Sequence, residues 1–223
     1  MSREVTITID DRQLTVPEGE KLLWVALDNG IYIPHLCGIR EADRPAASCR
    51  LCFVEIEGKP NPVTACTEEV TEGMVVRTRS SRVDRLVRTA FELLLSNHCL
   101  GCAKCCRNKN CELQTIAKER KLKLKLTRLR SLWQEVPVDD SPKSFTYDSN
   151  RCVLCGRCVW ADCRQAKVGA IGFIRRGMAR KVATFGDVPI AESHCTECGE
   201  CVKVCPVGAL NFKETECRET ERH

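Results

Sequence analysis

The hydrophobic and polar positions of the first eighty residues predict a small unit of mixed strands and one helix. Residues 5–9 alternate apolar and polar side chains, as a half-buried strand does, and residues 13–16 can return as its hairpin partner. Residues 18–29 carry apolar side chains at helical spacing, and Gly30 follows as a stop signal. Two further strands are predicted at residues 53–57 and 74–78.

The clearest helical pattern covers residues 81–97, where a single apolar stripe runs along one face. Residues 118–130 contain seven basic side chains and alternating leucines, a pattern that suits either a strand or a helix. Residues 136–150 are polar and contain two prolines, which predicts a linker. The fold class expected from these elements is α+β.

Cysteine content changes this picture, because 18 of the 223 residues are cysteine. No run of apolar residues is long enough for a membrane span, and the N-terminal residues show no signal-peptide pattern. We therefore expect a cytoplasmic location, where thiols are kept reduced. In such a compartment, cysteines at regular spacing are metal ligands more often than disulfides.

The cysteines fall into four groups along the chain. Group one is Cys37, Cys49, Cys52 and Cys66. Group two is Cys99, Cys102, Cys105, Cys106 and Cys111, preceded by His98. Group three is Cys152, Cys155, Cys158 and Cys163. Group four is Cys195, Cys198, Cys201 and Cys205, with Cys217 trailing.

Groups three and four have the spacing of a bacterial two-cluster ferredoxin. Group four, followed by Pro206, matches the run C-x2-C-x2-C-x3-C-P, in which the fourth cysteine binds the other cluster. One [4Fe-4S] cluster is then expected on Cys152, Cys155, Cys158 and Cys205. The other is expected on Cys163, Cys195, Cys198 and Cys201. Zinc sites use pairs of cysteines rather than such triplets.

Group three departs from this run at its fourth position. Four residues separate Cys158 from Cys163, and Asp162 stands where the cysteine is expected. Either the turn carries one extra residue and Cys163 is the ligand, or Asp162 supplies an oxygen. Thiolate is the commoner ligand of iron–sulfur clusters, which favours Cys163.

Groups one and two each offer four ligands. His98, Cys102, Cys105 and Cys111 supply one imidazole and three thiols, and their spacing alone does not separate a [4Fe-4S] cluster from zinc. Cys99 and Cys106 are then expected to be free thiols.

Group one has one close pair of cysteines and two remote cysteines. This arrangement is typical of a [2Fe-2S] ferredoxin site, although its spacing differs from the plant type.

Several motifs resemble the N-terminal part of the large iron–sulfur subunit of complex I and of [FeFe] hydrogenases. They include Ser48-Cys49-Arg50-Leu51-Cys52, Cys111-Glu112-Leu113-Gln114 after His98, and Arg151-Cys152-Val153-Leu154-Cys155-Gly156-Arg157-Cys158. The resemblance implies one [2Fe-2S] cluster and three [4Fe-4S] clusters. It also implies a [2Fe-2S] ferredoxin-like β-grasp domain at residues 1–79, a helical His/Cys cluster domain at 80–135 and a 2[4Fe-4S] ferredoxin-like domain at 136–223.

The same resemblance implies an electron-relay subunit with no catalytic centre of its own, most similar to the small iron–sulfur subunit of NAD-linked or electron-bifurcating hydrogenases. Its expected partners in a hetero-oligomer are a flavoprotein that binds NAD(P)H and a hydrogenase catalytic subunit. A formate dehydrogenase is the alternative terminal partner, and a zinc-stabilised binding scaffold is the alternative of another class.

The net charge of +5 and the basic run at residues 118–130 raise the question of nucleic-acid binding. No aromatic side chain for base stacking precedes Trp133 in this region, so a nucleic-acid partner is not expected. Docking to an acidic partner subunit is the preferred interpretation of this basic run.

Overall fold

The computed structural model describes residues 3–214, so Cys217 lies outside the described residues. The chain divides into two units after Phe91. Strands and helices occur in both, as the sequence patterns predict. Within residues 3–214, no helix has the length and apolar character needed to cross a membrane.

The first unit is built around a five-stranded sheet with the order β2-β1-β5-β3-β4. The strands are β1 Glu4–Ile9, β2 Arg12–Pro17, β3 Phe53–Ile56, β4 Val63–Thr64 and β5 Val75–Arg77. Strand β1 pairs antiparallel with β2 and parallel with β5, while β3 pairs antiparallel with both β4 and β5. The loops between α1 and β3, and after β4, carry the four cysteines of group one.

The core of this unit follows from the alternation in β1. Val5, Ile7 and Ile9 point inward and are buried, while the residues between them are not. Helix α1 (Leu22–Asp28) adds four buried residues to the same core. The buried Cys52 and Cys66 belong to this core as well, so the site of group one is built into the hydrophobic interior.

Helix α1 begins four residues later than the periodicity predicts. Gly19 has φ +84°, a conformation outside the helical region, and Lys21 forms an isolated bridge with Glu69. Residues 18 and 19 form a turn before this bridge, so the helix begins only at Leu22. Helix α2 (Ser81–Ser96) agrees with the prediction within one residue.

Short elements make up the second unit beyond α2. These are α3 Glu112–Glu119, β6 Phe145–Tyr147, α4 Arg157–Trp160, β7 Ile171–Ile174, β8 Lys181–Thr184, α5 Glu200–Lys203 and β9 Leu210–Phe212. A π-helical turn, Ala161–Gln165, continues α4 directly. The strands form two antiparallel pairs, β6 with β9 and β7 with β8.

The prediction of a linker at residues 136–150 is wrong for its second half. Phe145 and Tyr147 are buried in β6, where they pair with Phe212 and Leu210 of β9. The Tyr147 hydroxyl also donates to the backbone carbonyl of Val182 at 2.8 Å. The segment is therefore a structured part of the unit that carries groups three and four, not a linker.

The basic run begins in α3 and continues after Glu119 without regular secondary structure. From Lys121 to Leu126 the lysines are exposed and the leucines are half-buried. Burial therefore alternates along this segment as it does along a strand, but no strand of the described chain pairs with it.

Candidate iron–sulfur sites

The four cysteines of group one lie together and are all buried. The Sγ atoms of Cys37 and Cys49 are 3.3 Å apart, and the Cys52 and Cys66 side chains are hydrogen-bonded to each other. Cys37 is also close enough to influence the charge state of Cys66. The structure thus brings all four predicted residues of this group into one site.

Backbone geometry of the loop before β3 positions the first thiols. Ala47 and Arg50 have φ values of +46° and +54°, which non-glycine residues rarely adopt. This conformation lets the Cys49 N–H approach the Cys37 Sγ at 3.5 Å. The hydrogen bond from the Cys49 thiol lowers the pKa of Cys37 to about 5, so Cys37 is a thiolate at neutral pH.

His98 and three thiols make up the group-two site. The loss of solvation in its buried position, reinforced by the nearby Arg151 guanidinium, lowers the pKa of His98 to about 4. The imidazole is therefore neutral, as a metal ligand must be. Its Nδ1 is buried without a hydrogen-bond partner among the described residues, which is costly unless a metal fills that role.

The three predicted thiols of this group lie close enough for Cys102 and Cys105 to act on Cys111. Burial raises the pKa of Cys111, and the neighbouring Cys105 and Cys102 raise it further. Cys105 and Cys102 lie at the two ends of a 3₁₀ turn, and Cys111 precedes α3. The Glu112 N–H at the start of α3 donates to the Pro206 carbonyl at 3.0 Å, which ties this site to the end of group four.

Gly208 is a residue of this site that the cysteine pattern does not reveal. A Cβ atom at Gly208 would lie 2.4 Å from the Cys105 Sγ, so only glycine leaves room for the thiol. Arg107 provides a second tie, because its Nη2 donates to the Cys205 carbonyl at 2.8 Å. These contacts join groups two and four within one unit.

The two extra cysteines of group two differ from each other. Cys99 is a free thiol, as predicted, and its N–H donates to the Asn150 carbonyl at 2.8 Å. Cys106 is disulfide-bonded, so the prediction that it is a free thiol is wrong. Regular spacing identifies thiols that face one point, but it does not identify the partner of a remaining cysteine.

Groups three and four adopt the same local conformation. Leu154 and Glu197, each two residues after the first cysteine, have φ values of +53° and +54°. Their N–H groups both approach the Sγ of that first cysteine, Cys152 or Cys195, at 3.4 Å. Groups three and four, which form an internal repeat of cysteine spacing, therefore also repeat the backbone geometry.

A glycine follows the second cysteine in each repeat, and each lies against an aromatic ring. Gly156 has φ +81° and Gly199 has φ +76°. A Cβ atom would meet the Phe173 ring at 3.3 Å in the first case and the Phe212 ring at 2.9 Å in the second. Each glycine then caps a short helix that carries the third cysteine of its group.

Cys205 lies close enough to the cysteines of group three to affect their charge states. Burial is the main reason that the pKa of Cys152 rises to about 11 and that of Cys155 to about 12, and Cys205 raises both further. The pKa of Cys158 is also well above its ordinary value. The ferredoxin spacing predicts that Cys205 lies near these cysteines, and its role as their fourth ligand stays a prediction.

Asp162 and Cys163 occupy different environments. Asp162 is buried, with 7% of its surface exposed, whereas Cys163 is exposed. The Asp162 Oδ2 accepts a hydrogen bond from the Ile171 N–H at 3.0 Å. Burial raises the pKa of Cys201 to about 12, and the Asp162 carboxylate contributes to this rise.

The donor sets fit iron–sulfur clusters chemically. Each site has at least three cysteines, which are buried in group one and half-buried in group two. As neighbouring thiolates they would repel one another unless a cationic metal core neutralised them. Among residues 3–214, no three His, Cys, Asp or Glu side chains are arranged to hold a single metal ion. The thiolate-rich composition and the neutral His98 are the observations that support the fit.

Three protein families match successive parts of the chain. They are described as a 2Fe-2S iron-sulfur cluster binding domain at residues 2–81, an NADH-ubiquinone oxidoreductase-G iron-sulfur binding region at residues 88–123, and an NADH-quinone oxidoreductase subunit 3 ferredoxin-like domain at residues 143–211. The chain therefore contains a 2Fe-2S domain and 4Fe-4S binding regions.

Two curated relatives are similar over most of the chain. The NADP-reducing hydrogenase subunit HndD of Solidesulfovibrio fructosivorans is 37% identical over 92% of this chain. A subunit of the NADH-quinone oxidoreductase of Streptomyces coelicolor is 36% identical, also over 92%. The chain spans only 36% and 24% of the lengths of these relatives.

A solved structure covers nearly the same extent as this chain. A chain from the crystal structure of an NAD+-reducing [NiFe]-hydrogenase in the H2-reduced state superposes with a TM-score of 0.85 and 29% identity. The match covers 96% of this chain and 90% of that chain. Taken with the three domain matches, these similarities show that the chain consists of iron–sulfur domains like those of NAD(P)-linked hydrogenases and complex I-type enzymes.

Proposed function

We propose that this chain is an electron-relay subunit that carries one [2Fe-2S] and three [4Fe-4S] clusters. It would work between a flavoprotein that oxidises or reduces NAD(P)H and a hydrogenase catalytic subunit. The observation that carries the proposal is the structural match along 90% of a chain from an NAD+-reducing hydrogenase. Bound iron–sulfur clusters accept and pass on single electrons, which is the chemistry a relay requires.

The proposed ligands follow the four sites. Cys37, Cys49, Cys52 and Cys66 would hold the [2Fe-2S] cluster. His98, Cys102, Cys105 and Cys111 would hold the first [4Fe-4S] cluster, and Cys152, Cys155, Cys158 and Cys205 the second. Cys195, Cys198 and Cys201 would hold the third, with Cys163 or the adjacent Asp162 as the fourth ligand.

The chain itself contributes burial and charge. Buried cysteines in group one keep water from the ligand atoms, and this low-polarity setting affects the potential of a bound cluster. The neutral His98 leaves its site with one negative charge fewer than four thiolates would, and Arg151 lies near Cys105 and Cys99. Both features favour the reduced state at this site.

Cofactor content is the first test of the proposal. Anaerobic reconstitution of the full chain should yield about fourteen irons and matching acid-labile sulfide, since one [2Fe-2S] and three [4Fe-4S] clusters contain that number. Dithionite reduction followed by EPR spectroscopy should reveal four paramagnetic centres. A colourless protein that binds zinc with no sulfide would contradict the proposal.

The partners need a separate test. Affinity purification of the tagged chain from its own host under anaerobic conditions should recover a flavoprotein and a hydrogenase catalytic subunit. The purified assembly should reduce NAD(P)+ with H2. Recovery of a formate dehydrogenase subunit, with formate-dependent reduction instead, would replace the hydrogenase assignment and leave the relay role in place.

A further inference from the structure

We propose that Asp162, rather than Cys163, is the fourth ligand of the cluster held by Cys195, Cys198 and Cys201. This inference rests on the proposed function, because it assigns a ligand to one of the proposed clusters. It replaces the residue that the sequence pattern favours, and it predicts one cluster with an oxygen ligand in a protein whose other ligands are sulfur and one imidazole nitrogen.

The first argument is the register of the internal repeat. Asp162 lies four residues after Cys158, and Cys205 lies four residues after Cys201. The residues before both positions are helical, in α4 and α5, so each fourth residue lies one turn beyond the third cysteine. Asp162 is therefore the counterpart of Cys205, and Cys163 has no counterpart in the other repeat.

The π-helical turn explains where the extra residue is accommodated. The Ala166 N–H donates to the Ala161 carbonyl at 2.9 Å, a five-residue step, while the Trp160 N–H still donates to the Gly156 carbonyl in the ordinary four-residue step. The turn thus widens from Ala161 onward, and the register from Cys158 to Asp162 remains that of an α-helix. The widening does not rotate Cys163 inward, since Cys163 is exposed.

The second argument is the direction in which the two side chains face. Asp162 lines a cavity together with Cys195 and Cys201, and Cys163 is not among the residues that line it. Asp162 therefore faces the first and third cysteines of the other repeat.

The third argument is the way the Asp162 carboxylate is held. Its Oδ2 accepts the Ile171 N–H from the first residue of β7, which fixes the orientation of the side chain. Carboxylates that bind metals commonly have such an outer hydrogen bond. The other oxygen, Oδ1, is not part of this bond and can serve as a monodentate ligand.

A purely structural role for Asp162, as a tie between the π-helical turn and β7, is the competing explanation. The two explanations differ in what they require from the side chain. A tie needs one hydrogen-bond acceptor, which asparagine retains. A ligand needs an anionic oxygen or a thiolate, which asparagine does not supply and cysteine does.

Oxidative loss of iron provides a readout that does not depend on enzymatic activity. Ferricyanide takes one electron from a [4Fe-4S]2+ cluster, which can then release Fe2+ and leave [3Fe-4S]+. An iron held by a hard carboxylate oxygen should leave more readily than one held by a thiolate. The EPR signal of the three-iron product is counted per chain, and released iron is measured with a chelating dye.

Four full-length proteins are compared after anaerobic reconstitution: the wild type, Asp162→Asn, Asp162→Cys and Cys163→Ser. We expect the wild type and Cys163→Ser to release about one iron per chain, as expected for conversion of a single four-iron cluster. Asp162→Cys should decrease the three-iron signal several-fold. Asp162→Asn should contain the three-iron cluster, and about one iron fewer, before any oxidant is added.

The inference is overturned if Asp162→Asn and Asp162→Cys both behave as the wild type does, or if Cys163→Ser alone loses iron. Circular dichroism of each variant checks that the fold is retained, and Asp162→Cys is informative even if Asp162→Asn does not fold. A wild-type chain that takes up neither the expected iron nor sulfide overturns the proposed function first. The iron count of the wild type therefore distinguishes the two failures.

Discussion

The Sγ atoms of Cys37 and Cys49 lie 3.3 Å apart although eleven residues separate them in the chain. Their proximity depends on the loop from residue 38 to residue 48, which brings both thiols into the interior of the first unit. One partner of this pair, Cys37, has a pKa of about 5. The iron-free site is therefore a thiolate beside a thiol, and that pair is prone to oxidation.

Oxidation of the apoprotein should join Cys37 to Cys49. Diamide, a two-electron oxidant, should form this disulfide in protein stripped of iron, and peptide mapping before and after reduction should detect it. Because Cys37 remains a thiolate above about pH 5, the rate should change little between about pH 8 and about pH 6. An ordinary thiol would slow by about 100-fold over that range.

Loaded protein and the Cys49→Ser variant are the controls for this oxidation. Neither should form the disulfide, because bound iron occupies the thiolates in one case and the partner is missing in the other. Full alkylation of both cysteines in diamide-treated apoprotein, without prior reduction, would contradict the expected pairing.

His98→Cys should lower the reduction potential of the group-two cluster. The substitution replaces a neutral ligand with an anionic thiolate, which disfavours addition of an electron. We expect a decrease of at least about 59 mV, which corresponds to tenfold in the equilibrium constant of a one-electron step. EPR-monitored redox titration measures it, and an unchanged potential would argue against ligation by His98.

Gly208→Ala should impair the same site by a steric route. The new methyl group would lie 2.4 Å from the Cys105 Sγ, so the thiol must rotate away from the position of a ligand. We expect a stability loss of about 1–3 kcal/mol and loss of the group-two cluster by iron analysis and EPR.

Gly172→Ala is the matched control for Gly208→Ala. Gly172 lies in β7 with open space around its Cα, and it does not have a positive φ. This variant should keep its full iron content. Equal iron loss from both variants would show that the effect is not specific to the contact with Cys105.

Arg128→Met should loosen the basic segment that follows α3. The Arg128 Nε donates to the buried Glu92 carboxylate at 3.0 Å, and the Thr127 hydroxyl donates to the same group at 2.6 Å. Removal of the arginine leaves a buried carboxylate short of a partner, at a cost of about 1–3 kcal/mol. Trypsin should then cut at Lys121, Lys123 and Lys125 faster than in the wild type.

Arg130→Met provides the comparison for this experiment. It also removes one basic residue from the segment, and the Arg130 side chain is exposed. Its rate of cleavage at the three lysines should match that of the wild type. Equal acceleration in both variants would mean that charge, rather than the contact with Glu92, holds the segment.

Sequence patterns predicted the local features of this protein well. The alternation in β1 and the apolar stripe of α2 identified both elements within one residue of their bounds. Short-range spacing also predicts a crossed position for Cys205, because the three-residue gap after Cys201 recurs in known ferredoxins, and this assignment stays a prediction. In each case the signal lies within a few neighbouring residues.

Features that depend on distant contacts were missed. Phe145 pairs with Phe212, 67 positions later, and nothing near residue 145 indicates this partner. The steric requirement at Gly208 comes from Cys105, which is even more remote along the chain. The preference for Cys163 rested on the chemistry of thiolates, whereas burial in the folded chain places Asp162 towards Cys195 and Cys201.

The crossed arrangement of Cys205 has a consequence for biosynthesis. Three proposed ligands of one cluster, ending at Cys158, leave the ribosome 47 residues before the fourth, Cys205. With these ligands, the nascent chain cannot complete this site until Cys205 has been synthesised. Iron and sulfide delivered while only the first repeat is outside the ribosome would find three of the four proposed ligands.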